Sequence, residues 1–183
     1  LRLKPKKCSF LREEVCYLGY MVSKNGITPD PEKTDKVRNF PRPVDVTGIR
    51  CFLGLASYYR RFIPNFAAVA SPLHTLTKKG VKFQWTSECE ESFDTLKRLL
   101  TSAPVLAFPR FGTGCTFILE TDASMVGLGA VLSQEQNDGT VHPVAYASRS
   151  TNKHERNYGI SELETLGLVW AVRPFLTYLL GYP

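Results

Sequence analysis

No run of 18 apolar residues occurs in the 183-residue chain, so the sequence offers no transmembrane helix. The basic start (Arg2, Lys4, Lys6, Lys7) does not lead into the apolar core of a signal peptide. Cysteine is sparse and scattered: Cys8, Cys16, Cys51, Cys89 and Cys115 form no Cys-x-x-Cys pair. The three histidines do not cluster near them, which argues against a zinc site. Free, reduced and buried thiols in an intracellular protein are the expectation. No internal repeat or low-complexity tract is visible. Gly127-Leu128-Gly129 lacks the strand-to-helix setting of a phosphate loop, so a nucleotide fingerprint is rejected. The chain begins with Leu1 rather than Met, and is expected to be a piece of something longer.

An apolar fraction of 43% supports an ordinary globular protein with room for one medium domain or two small ones. The net charge of +6 is unevenly placed. Residues 1–103 hold 18 Lys and Arg against 10 Asp and Glu, and residues 104–183 hold 5 against 7. That asymmetry fits a basic half that grips a polyanion joined to a half that holds metal-binding acids. It also fits ordinary solvated lysines.

The pattern predicts β structure from Val15 to Val22, a turn over Ser23-Lys24-Asn25-Gly26, and a continuation at Ile27-Thr28. Asp30 or Pro31 can start a short helix reaching Phe40, which Pro41 and Pro43 end. Ile49, Phe52, Leu53 and Ala56 mark a stronger helix from Asp45 to Phe62, ended by Pro64. Further helices are expected over Phe66–Leu76 and after a cap at Thr86 or Ser87, with a short strand at Val81–Trp85 between them. From Val105 the periodicity turns to strands: Val105–Phe108, Cys115–Thr121, Gly127–Gln134 and Pro143–Ser148, with Asn137-Asp138-Gly139 as a hairpin turn. A last helix starts at Glu155 or Ser161 and runs to Leu180, with Pro174 inside it. The fold class is α+β: a hairpin and helical lobe followed by an incomplete mixed sheet crossed by one helix.

Two sets of residues carry chemistry. Asp122 closes an apolar strand before the glycine-relieved turn at Ser124–Gly127, which puts a carboxylate on rigid backbone at the rim of a sheet. Glu164 lies in the last helix beside Gly167 and Ala171, whose small side chains allow a close approach to a strand. Glu162, two residues earlier, faces nearly the opposite way. Asp122 and Glu164 are therefore the candidate metal ligands, expected to approach each other and to suit a divalent cation in phosphodiester chemistry. In the Asp45–Phe62 helix, Arg50, Gly54, Ser57 and Arg61 form one stripe with Tyr58 beside it. Two arginines separated by tiny side chains suit a flat, anionic nucleic acid. The same stripe suits a solvated surface with Gly54 kept for helix packing.

Long motifs then carry a resemblance that runs nearly end to end. They are Lys7-Cys8-Ser9-Phe10, Tyr17-Leu18-Gly19-Tyr20 through Gly26-Ile27, the run Phe52 to Phe62 (FLGLASYYRRF), and Ala103-Pro104-Val105-Leu106. Thr121-Asp122-Ala123-Ser124, His142 to Arg149 (HPVAYASR) and Glu162-Leu163-Glu164-Thr165-Leu166 continue the series. Together they resemble the Pol polyprotein of gypsy-type LTR retrotransposons, from the end of the reverse transcriptase into its ribonuclease H.

The resemblance implies four regions. Residues 1–30 would end the polymerase palm, with Leu18, Gly19 and Tyr20 in the primer-grip hairpin. Residues 31–80 would be the thumb, with Arg50, Gly54, Tyr58 and Arg61 on the template–primer duplex. Residues 81–112 would be the connection, and residues 113–183 the N-terminal part of an RNase H-like domain. Asp122 and Glu164 match the first two metal-binding acids of that fold, which in its complete form uses two Mg²⁺ ions. The implied parent activity is RNA-directed DNA polymerase with cleavage of RNA in RNA–DNA hybrids. The implied partners are the hybrid, the template–primer duplex and the rest of the polyprotein, with no membrane. The polymerase aspartates of a Tyr-x-Asp-Asp-type turn and the third nuclease aspartate fall outside these residues, and Leu176 stands where many relatives carry Arg. The expectation is that the chain alone is inactive. An alternative is a domesticated or degenerate element kept as a nucleic-acid-binding module, against which the intact pair Asp122 and Glu164 argues.

Overall fold

A computed structural model of the chain describes residues 10–112, 114–136 and 138–180. Lys7, Cys8 and Ser9 of the first motif and Asn137 of the expected hairpin turn lie outside the described residues. The chain is α+β, with two three-stranded sheets and helices packed around and between them.

The first sheet is a meander of β1 (Glu14–Tyr17), β2 (Tyr20–Ser23) and β3 (Gly26–Pro29). The single β run expected from Val15 to Val22 is instead two strands. Leu18 and Gly19 both take positive φ (48° and 74°) and reverse the chain between them. Alternation alone could not reveal this, because Leu is a poor marker for a left-handed turn.

The helical lobe follows the capping chemistry closely. Asp30 accepts from Glu32 N at 3.0 Å and Pro31 opens α1 (Pro31–Arg38). Asp45 accepts from Gly48 N at 2.7 Å to start α2 (Val46–Tyr58). This helix stops four residues earlier than expected, and Arg60–Phe62 continues as a separate 3₁₀ turn. The helix expected over Phe66–Leu76 divides into α3 (Phe66–Val69) and α4 (Ser71–Leu76), since Pro72 has no N–H to continue a ladder. Val81–Trp85 pairs with no strand. Thr86 caps α5 (Ser87–Thr101), whose first turn carries Glu88 and Glu90. Ile49, Phe52, Leu53 and Ala56 of α2 meet Phe93, Leu96 and Leu100 of α5 in the first core. Among the described cysteines only Cys89 is buried there, while Cys16 and Cys51 are exposed.

The Val105–Phe108 segment is no regular strand. Leu106 forms an isolated bridge with Ile27 (N···O 2.8 and 2.9 Å), and Ala107 N donates to Pro143 O at 2.8 Å. It thus joins the first sheet to the second through a fully buried Leu106. The second sheet has the order β4 (Phe117–Ala123), β5 (Gly127–Glu135), β6 (Val141–Ser150), and all described pairings in it are antiparallel. The last helix, α6 (Ile160–Leu179), includes Pro174 and packs on β4 and β5. Glu155 is not its start but belongs to a separate 3₁₀ turn, Glu155–Asn157. Among the described residues no helix is long and apolar enough to cross a membrane.

Candidate functional site

Strand β4 is an edge strand, and its accessibility alternates along its length. Phe117 and Leu119 pack against the core that holds Ala171 and Phe175 of α6, while Ile118, Glu120 and Asp122 are exposed on the other face. Helix α6 buries Leu163, Gly167, Ala171 and Phe175, a stripe repeating every four residues. Because Gly167 has no side chain, the helix rides close to the strand end: a Cβ there would sit 3.4 Å from Ala123 Cβ. Glu164, one turn before Gly167, is thereby brought to the rim of β4. Asp122 and Glu164 line one open cleft of about 380 Å³ together with Thr121, Ala123, Thr165 and Leu168.

Neighbouring bonds fix both ends of this arrangement. Ser124 Oγ accepts from Val126 N and Gly127 N at 3.3 and 3.2 Å, holding the turn that follows Asp122. Glu162 accepts from Gly159 N at 2.8 Å and so caps the start of α6, a structural task that separates it from Glu164. Arg149 makes a two-pronged pair with Glu155 (2.7 and 2.9 Å), and Asn152 N donates to the same carboxylate at 2.8 Å. The Arg149 guanidinium holds the Glu155 carboxyl below its usual range, and also lies 5.7 Å from the Trp170 ring. This lock ties the end of β6 to the turn that launches α6.

Among the described residues no group of three or more His, Cys, Asp or Glu could hold a metal ion. Asp122 and Glu164, both exposed, are the two acids among the residues that line the cleft, and carboxylates are hard oxygen donors of the kind that divalent cations take. Two such donors suit a divalent cation that keeps several waters and takes further oxygens from a substrate phosphate.

One contact was invisible in the sequence. Asn65, from the loop between the 3₁₀ turn and α3, donates from Nδ2 to Asp122 Oδ2 at 2.8 Å across a separation of 57 residues. Its backbone is left-handed (φ 50°, ψ 31°), a conformation Asn tolerates better than most residues. The nearest sequence signal was the Pro64-Asn65 pair ahead of a helix, which indicates a turn and nothing about Asp122.

Of the residues expected at the primer grip and thumb, Leu18, Gly19, Tyr20 and Tyr58 gather at a second place. Leu18 O accepts from the Tyr58 hydroxyl, and Gly19 O accepts from Tyr59 Oη at 2.9 Å and from Asp30 N at 3.1 Å. Tyr20 stacks on Tyr58 with ring centroids 5.4 Å apart and 13° between planes. Tyr59 is fully buried, and burial pushes its phenol up to about 12. The hairpin tip is thus bolted to the C-terminal end of α2. Arg50, Gly54 and Tyr58 are exposed on α2, and a Cβ on Gly54 would meet nothing within 4 Å. Arg50 Nη2 donates to Thr77 O at 3.3 Å.

Arg61 leaves the expected stripe because α2 ends at Tyr58. It lines another cleft, of about 420 Å³, with Arg60, Arg149 and Trp170, and its buried Nε has no hydrogen-bond partner among the described residues.

Residues 85–183 match the model of the family described as "RNase H-like domain found in reverse transcriptase". The chain is 44% identical over 183 residues to the retrovirus-related Pol polyprotein from transposon 297 of Drosophila melanogaster, covering 99% of this chain and 16% of that protein. The chain therefore spans about a sixth of the length of that curated relative. Foamy viral protease-reverse transcriptase in complex with dsDNA superposes with a TM-score of 0.79 at 27% identity, covering 97% of this chain and 37% of that one. The same viral protein in complex with RNA/DNA hybrid gives a TM-score of 0.78 at 27% identity over 97% of this chain and 24% of that one. With the family model covering more than half of its length, the chain belongs to the RNase H-like domains found in reverse transcriptase.

Proposed function

We propose that this chain is the segment of a retrotransposon Pol polyprotein that passes from the polymerase to the nuclease, serving RNA-directed DNA synthesis and cleavage of RNA in RNA–DNA hybrids. In this reading residues 1–30 end the palm, 31–80 form the thumb, 81–112 the connection and 113–183 the first part of the RNase H-like domain. The observation that carries the nuclease reading is the shared cleft of Asp122 and Glu164 at the open edge of β4. The two carboxylates would hold Mg²⁺ against the scissile phosphate. Such ions supply an activated water and stabilise the leaving oxygen. What the chain itself contributes is position: the Gly167 contact sets the height of Glu164 over the strand, and the Ser124 turn sets the end of β4.

Leu18, Gly19, Tyr20, Arg50, Gly54 and Tyr58 would face the template–primer duplex, while Arg61, expected with them, is turned into the cleft beside Trp170. Support comes from the docking of the hairpin tip on Tyr58 and Tyr59, which leaves α2 with a bare Gly54 flanked by exposed Arg50 and Tyr58. A helix backbone free of side chains can approach a sugar–phosphate surface closely, with phosphates held by Arg.

The test uses a polyprotein that contains this segment with its polymerase and the remaining nuclease strands. Asp122→Asn and Glu164→Gln should each lower Mg²⁺-dependent hydrolysis of hybrid RNA by more than about 100-fold, beyond the loss usual for supporting groups. DNA synthesis on a DNA template should continue. Hydrolysis at the parental rate in either variant would refute the assignment.

A further inference from the structure

We infer that Asn65 is a positioning residue for Asp122, through which the helical lobe sets the metal affinity of the cleft; the inference rests on the nuclease reading above. Three independent features converge on this side chain. First, its amide donates to only one oxygen of Asp122, Oδ2, at 2.8 Å. A carboxylate held by one oxygen keeps the other aimed and available, the arrangement by which outer hydrogen bonds orient metal-ligating groups. Second, β5 provides a matching absence. Gly129 is the residue directly opposite Asp122 in the β4–β5 register. A Cβ on Gly129 would lie 1.7 Å from Asn65 Oδ1, so any other amino acid there must displace the amide from its present place. Third, Asn65 is held from its own side. Its left-handed backbone follows Pro64, and its carbonyl accepts from Ala68 N and Val69 N at 3.0 and 3.1 Å to start α3.

The same short helix is anchored to the other two strands. Ala67 N donates to Ser148 Oγ of β6 at 3.0 Å. A Cβ on Gly127 of β5 would approach Ala68 N at 3.6 Å. The loop therefore touches β4, β5 and β6 together, and any shift of the helical lobe against the sheet moves the Asn65 amide off Asp122. The amide meets Asp122 at the wall of a pocket lined also by Pro64, Tyr146 and Glu120, rather than inside a closed core.

The experiment measures Mn²⁺ binding to the 183-residue chain by water-proton relaxation, with Asn65→Gly as the main variant. Glycine keeps the left-handed backbone without strain and deletes only the side chain. Asn65→Gly should weaken Mn²⁺ about tenfold, at the low end of the range for orienting partners. Its thermal midpoint should stay near that of the parent, which a purely structural role would not allow. Asn65→Asp retains the shape but sets a second carboxylate against Asp122, and should change affinity differently from Asn65→Gly. Gly129→Ala should reproduce the loss by displacing the amide, and should cost nothing further in the Asn65→Gly background, where the space is vacant. Unchanged Mn²⁺ affinity in Asn65→Gly, with Asp122→Asn abolishing it, would overturn this inference and leave the nuclease reading standing. Unchanged affinity in Asp122→Asn would overturn both.

Discussion

Gly26→Ala should damage the chain at a residue that belongs to neither candidate site, by a mechanism that can be separated into parts. Gly26 has φ +131°, a region that side-chain-bearing residues avoid, and forcing alanine into it costs about 1–3 kcal/mol. An added Cβ would also lie 2.3 Å from Leu106 O and 2.9 Å from Val105 Cγ1. Ordinary carbon–oxygen contacts require that carbonyl to retreat by about 1 Å. The retreat strains the two bonds joining Ile27 to Leu106, 2.8 and 2.9 Å long, each worth about 0.5–1.5 kcal/mol net. The total is about 2–6 kcal/mol, against a whole-protein stability of about 5–15 kcal/mol. Urea denaturation followed by fluorescence should show the midpoint falling by about 1–3 M. Amide exchange at Ile27 and Leu106 should accelerate more than at Phe93 in the other part of the core. Gly80→Ala is the control: Gly80 has φ +82° with nothing within 4 Å, so it incurs only the conformational part. Equal midpoint shifts for Gly26→Ala and Gly80→Ala would refute the clash and the stitching role assigned to residues 105–107.

Two further outcomes are expected. Glu155→Gln should destabilise the chain by about 1–3 kcal/mol at pH 7, because it removes a charged acceptor shared by Arg149 and Asn152 N. Since the Glu155 carboxyl is held below its ordinary 4.5, its stabilisation is complete above that value and is lost as pH falls through the lower folded value. Parent and variant should therefore converge in thermal midpoint towards pH 3, and an equal gap at pH 3 and 7 would contradict the ion pair's part in it. Arg50→Ala should reduce the salt dependence of duplex binding by about 1 in log–log slope. A slope unchanged in Arg50→Ala would remove the exposed face of α2 from the proposed duplex contact.

Much of this architecture was written locally. Asp30, Asp45 and Thr86 cap the helices that they precede because each carries a short acceptor at the right distance from free N–H groups. Strands β4, β5 and β6 follow from apolar runs separated by glycine turns, and the motifs around Asp122 and Glu164 were sufficient to single out those acids. Local signals failed where neighbours in space decide. Leu18-Gly19 turns because Tyr58 and Tyr59 hydroxyls hold both carbonyls, and the tyrosines lie 40 residues away. Helix α2 ends at Tyr58 rather than Phe62, which redirects Arg61 from the helix stripe into the cleft beside Trp170. Val105–Phe108 has strand-like composition, but it meets only Ile27 of one sheet and Pro143 of the other, so it bridges two sheets instead of extending one.

The sequence by itself determined most element types and the capped helix starts, and offered the two acids as candidates, because those depend on contacts within a few residues or on long motifs. The small residues beside Glu164 already pointed to a close approach to a strand; the tertiary structure added where it happens, with Gly167 against Ala123 and Glu164 sharing a cleft with Asp122. It also decided that an asparagine 57 positions upstream reaches Asp122 through the gap left by Gly129. Both depend on the absence of a side chain at one glycine and the presence of another chain segment in the vacated space. A glycine in a sequence records the first fact and carries no trace of the second.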